Sequence, residues 1–60
     1  MDEELTRLFT RLELNARWLG SAHERYNGTE ILVVRDSRGR LRWHINNRHV
    51  SRFDAFAFFA

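Results

Sequence analysis

The stretch that most constrains this chain is residues 30–46, EILVVRDSRGRLRWHIN. Two runs rich in Val, Ile, Leu and Trp flank Asp36-Ser37-Arg38-Gly39. Such a four-residue segment suits a type I turn closed by a glycine in the left-handed region. The expected hairpin has strands Glu30 to Arg35 and Arg40 to Asn46. Its turn pairs Asp36 with Arg40, Val34 with Arg42, Val33 with Trp43 and Ile31 with Ile45. Successive side chains of a strand alternate between faces. One face therefore carries Ile31, Val33, Leu41, Trp43 and Ile45, and needs a cover. The other carries Leu32, Val34, Arg40, Arg42 and His44, with Arg38 at the tip. Arg35 falls on the covered side, close enough to the tip to reach water.

The cover is expected from the N-terminal segment. Leu5, Leu8, Phe9, Leu12, Ala16, Leu19, His23 and Tyr26 recur at spacings of three and four, which is one face of a helix. Asp2, Glu3 and Glu4 suit the positive end of a helix dipole. Asn27-Gly28 reads as a helix stop, so a single continuous or gently kinked helix is expected over 2–27. Gly20 is its weak point, because Ser21 followed by Glu24 could cap a second, short helix. At the other end, Ser51-Arg52-Phe53-Asp54 resembles a capping box. A short C-terminal helix from 52 is expected, with Phe53, Phe56, Ala57 and Ala60 on one face and Phe58 and Phe59 pointing away. A third strand is the alternative there, since Phe favours strands and Asn46-Asn47-Arg48 could turn the chain; residues 46–50 otherwise connect. The fold class expected is α+β in the order α-β-β-α, one small domain over residues 1–60.

Sixty residues without a cysteine leave a thin core and no disulfide or thiolate metal site. A chain of this size buries only about 60% of its unfolded surface. A homodimer or a complex with a larger protein is therefore expected. Ten arginines, no lysine and eight carboxylates give a net charge of only +2. That is a small surplus for a protein that coats nucleic acid through charge alone. The acidic N-terminus has no basic segment leading into an apolar run, so no secretory signal is read. No apolar stretch approaches the roughly 20 residues that span a bilayer. A cytoplasmic location and no membrane contact are expected.

Two groups of residues are candidates for binding. At about 100° per residue, Arg7, Arg11, Leu14 and Trp18 fall together on the helix, opposite its core stripe. A solvated face has no need of Leu14 and Trp18, and Trp with Arg is the composition of an interface hot spot. The second group is the hairpin column Arg38, Arg40, Arg42 and His44. A two-stranded ribbon fits the major groove and arginine reads guanine and phosphate. Leu32 and Val34 beside the column suit a protein contact better. A wet outer face with a cross-strand Asp36–Arg40 pair would also account for it.

Chemistry is not expected. The serines and threonines lack the base and orienting group that nucleophilic catalysis needs. No glycine-rich phosphate loop or HExxH motif is present. His23 falls on the core stripe, and His44 and His49 have no ligand set around them. No catalytic residue, metal, cofactor or small-molecule substrate is expected. The function expected is a non-enzymatic protein-binding module, an adaptor, regulator or inhibitor such as bacteria and phages encode. The alternative is a nucleic-acid-binding regulator that uses the Arg-rich hairpin 35–44.

Overall fold

The computed structural model describes residues 3–60. The expected helix start at Asp2 lies outside them. Helix α1 runs Glu3–Leu19 and is followed by strands β1 (Ser21–Tyr26), β2 (Thr29–Arg35), β3 (Leu41–Ile45) and β4 (Arg48–Val50). Helix α2 (Arg52–Phe59) completes the chain. The four strands form one antiparallel sheet in the order β1-β2-β3-β4. The α+β class expected from the sequence is present, with four strands where two were expected.

The central hairpin has the expected register, with Ile31 opposite Ile45, Val33 opposite Trp43 and Val34 opposite Arg42. Gly39 is left-handed at φ +82°. The Asp36 amide donates to the Arg40 carbonyl at 2.8 Å, and the Gly39 amide donates to the Asp36 carbonyl at 3.0 Å.

The continuous helix over 2–27 is corrected. Helix α1 stops at Leu19 because Gly20 takes φ +95° and donates its amide to the Ala16 carbonyl at 2.9 Å. This is a helix end of the left-handed glycine type. Residues 21–26 then alternate between open and half-buried positions. Ala22, Glu24 and Tyr26 face the helices, whereas Ser21, His23 and Arg25 face out. Asn27 and Gly28 both have positive φ, so they are the two central residues of a hairpin turn rather than a helix stop. Tyr26 and Thr29 pair directly across it. Asn46 and Asn47 also have positive φ, and turn β3 into the three-residue β4 that replaces the expected connector. Two helix-spaced residues of the apparent stripe, His23 and Tyr26, thus belong to a strand. A third, Leu19, is 79% exposed.

Helix α1 lies across β1, β2 and β3, and α2 lies over β3. Both cover the same face. The core between the layers is Leu5, Leu8, Phe9, Leu12 and Ala16 of α1, Ile31, Val33, Trp43 and Ile45 of the sheet, and Ala55 of α2. Phe9 is its centre. Its ring stacks on Trp43 at 4.4 Å and meets Phe56 and Phe59 edge-on at 5.3 and 6.4 Å. Such aromatic pairs add about 0.5–1.5 kcal/mol each beyond the burial of their area.

The C-terminal helix takes the capping box as expected. The Ser51 hydroxyl accepts from the Asp54 amide at 3.0 Å. Its faces differ from the expectation. Phe56 and Phe59 turn inward around buried Ala55, and Phe53 and Phe58 remain exposed. The reason is Phe9, whose ring Phe56 and Phe59 both meet in T-shaped contact. Among the described residues no polar or charged residue is buried, so every candidate functional group sits at the surface.

Candidate functional site

The ridge of α1 is built as its periodicity implies. Arg7, Arg11, Leu14 and Trp18 are all exposed, with Arg11 on the flank of the helix that reaches β1. Trp18 is 82% exposed and Leu14 is 53% exposed. With Leu19 they make an apolar C-terminal end to the helix. Both ridge arginines are tied to carboxylates. Arg7 Nη2 stands 3.8 Å from Glu3 Oε1 one turn back, and Arg11 Nη2 stands 3.4 Å from Glu24 Oε1 on β1. Exposed pairs of this kind hold weakly, so a partner carboxylate can compete for either guanidinium. A shallow depression lined by Thr6, Thr10 and Asn15 adjoins Leu14.

The hairpin column is organised by Asp36. Its Oδ1 accepts from the amides of Arg38 and Arg40 at 2.9 and 2.8 Å, and its Oδ2 accepts from Arg42 Nε at 3.0 Å. The amide of Arg40, followed by the guanidinium of Arg42, holds the Asp36 carboxyl below its ordinary 3.8. The cross-strand ion pair therefore involves Arg42, not Arg40. Arg40 contributes its backbone only, because it lies directly opposite Asp36 and its amide already points at the carboxylate. Among the described residues the guanidiniums of Arg38 and Arg40 make no ion pair. His44 is half-buried on the same face.

The extra strands extend this open face. His23 of β1 lies opposite Leu32, Leu32 opposite His44, and His44 opposite His49 of β4. The rings of His44 and His49 are 5.5 Å apart. His23 thus sits in a surface row and not in the core. Beside it, Arg25 Nη2 meets Glu30 Oε2 at 2.7 Å, and His23 Nε2 is 3.9 Å from Glu30 Oε1. The hydrogen bond from Arg25 holds the Glu30 carboxyl below its usual range. The signals that could have found this row are Asn27-Gly28 and Asn46-Asn47, both favoured pairs for tight hairpin turns. Among the described residues no group of three His, Cys, Asp or Glu side chains is arranged to hold a metal.

Compared with protein-family models, curated proteins and solved structures, the chain matches none. Among the described residues no helix is long and apolar enough to cross a membrane.

Proposed function

We propose that this chain is a non-enzymatic, cytoplasmic protein-binding module that acts by occupying a partner protein's surface. The observation that carries this reading is Trp18, 82% exposed on the outer ridge of α1 and one helical turn from exposed Leu14. Leaving an indole in water forgoes about 1.5–3 kcal/mol of burial, and large exposed aromatics next to arginine are the anchors of protein interfaces. Leu14 and Trp18 are the apolar anchors. Arg7 and Arg11 exchange Glu3 and Glu24 for carboxylates of the partner. Exposed Phe53 and Phe58 of α2 supply a separate contact between two copies of the chain.

The test is site-specific photo-cross-linking in cells from position 18, with position 38 as an exposed control, followed by reconstitution of the cross-linked protein. The reading expects one partner joined from position 18, with binding lost in the L14Q/W18Q double variant. Equal cross-linking from both positions, or unchanged binding by the variant, overturns it. Sedimentation of the purified chain with and without Phe53→Ser and Phe58→Ser tests the copy-to-copy contact.

Nucleic-acid binding through the hairpin remains the second reading, favoured by the guanidiniums of Arg38 and Arg40 in the β2–β3 turn, neither of which makes an ion pair among the described residues. It expects affinity that falls steeply with salt and that depends on Arg40 rather than Trp18.

A further inference from the structure

A groove of about 480 Å³ opens where the last turn of α1, the β2–β3 turn and the first turn of α2 meet. Its volume lies within the range of small-ligand sites, about 300–1,000 Å³. Four arginines from three parts of the chain line it: Arg17, Arg40, Arg42 and Arg52. Trp43 and, from β4, His49 also line it.

The charges there are not balanced. Glu13 is the one carboxylate in the lining, and it is engaged with Arg52 Nε at 2.7 Å. Arg52 is further held over the rings of Phe9 and Trp43, at 5.8 and 5.9 Å. Arg42 is engaged with Asp36 at 3.0 Å. Arg17 and Arg40 remain. Among the described residues neither guanidinium makes an ion pair, although the Arg17 carbonyl accepts from Arg35 Nη1. Two arginines without an ion pair thus line one concavity whose other two, Arg42 and Arg52, are held by their own carboxylates.

We infer that this groove binds a small organic phosphate, its dianion held by Arg17 and Arg40 and its organic part on the Trp43 side of the groove. Guanidinium forks match phosphate oxygens two at a time. A phosphate monoester brings close to two negative charges near neutral pH, which answers two unpaired arginines, where a carboxylate answers one. The site is separate from the Leu14/Trp18 ridge and adds a ligand to the proposed module.

The chain's two tryptophans make the test internally controlled. Their indole N–H signals, assigned with a Trp18→Phe variant, are followed by NMR while adenosine monophosphate, inorganic phosphate, sulfate or adenosine is added at constant ionic strength. The expected result is a saturable shift of the Trp43 signal with adenosine monophosphate, a weaker one with phosphate and none with adenosine, while Trp18 stays still. Arg17→Gln and Arg40→Gln should each weaken binding by about tenfold or more, the loss of a charged hydrogen-bond donor. Arg38→Gln, at the hairpin tip outside the groove, should change it less than twofold. Each variant's amide spectrum confirms that it is folded. Equal shifts with sulfate, equal weakening by Arg38→Gln, or binding of an oligonucleotide without the mononucleotide would each overturn the inference, the last in favour of the nucleic-acid reading.

Discussion

Trp43 and Trp18 are the same residue in two regions with opposite fates, 3% and 82% exposed. Trp43 alternates inward on β3, between Val33 on one neighbouring strand and Val50 on the other, with the Phe9 ring stacked on it. Trp18 sits off the buried stripe of α1. The difference lies in periodicity rather than hydrophobicity. A strand hands every second side chain to the core, and a helix hands over only those on one stripe. An apolar residue off that stripe has no partner within the chain. One region holds the fold together, and the other is available to bind.

The most damaging change to this contrast is Trp43→Ala. It should cost about 3–5 kcal/mol, most of the stability of a domain this small, which is about 3–9 kcal/mol by length. Loss of cooperative unfolding followed by circular dichroism is the expected outcome, and a variant that still unfolds cooperatively would place the core elsewhere. Next comes Gly20→Ala, which tests where α1 ends. At φ +95° the substitution should cost about 1–2 kcal/mol, although the nearest atom, Arg35 Nη2, would stand 4.0 Å from the new Cβ. Were the helix continuous through residue 20, the same change would stabilise by about 1 kcal/mol. The sign of the shift in urea midpoint therefore decides the matter.

A smaller effect concerns acid. The Asp36 and Glu30 carboxyls are held below their ordinary values in the folded chain. Their contribution is present above the ordinary carboxylate range and is lost as pH falls through the lowered values. Both are exposed, so the effect is modest. Asp36→Asn should lower stability at neutral pH and flatten the acid limb of the stability–pH curve, measured by urea unfolding from pH 6 downward. An unchanged limb would mean that neither the turn amides nor Arg42 favours the ionised Asp36 in the folded chain. Smallest of all, L14Q/W18Q should stay within about 0.5 kcal/mol of the parent while losing the partner. Large destabilisation would make the ridge part of the core and remove the contrast between the two tryptophans.

Much of this fold is legible without coordinates. The hairpin register follows from one turn and two alternating runs, and the Ser51 cap follows from a four-residue pattern. The outward position of Arg7, Arg11, Leu14 and Trp18 follows from helical spacing. Strand β1 was obscured because Leu19, His23 and Tyr26 continue the spacing of α1 across Gly20, where a helix and a strand compete on nearly equal local terms. Alternation over six residues with only Ala22 and Tyr26 as apolar inward positions is a faint strand signal. The backbone hydrogen bonds with β2 decide it, and a window of local sequence does not contain them.

What the sequence determined by itself is whatever depends on neighbours along the chain: turn geometry, the Ser51 cap, and which face of α1 is apolar. Tertiary structure decided which charges meet between distant elements. Arg11 finds Glu24 only because residues 21–26 are a strand, and Arg52 finds Glu13 across 39 positions. Arg17 and Arg40 share a groove because the end of a helix, a turn and the start of another helix converge there. Pairing between elements depends on distance through space, and spacing along the chain does not encode that distance until the layers have packed.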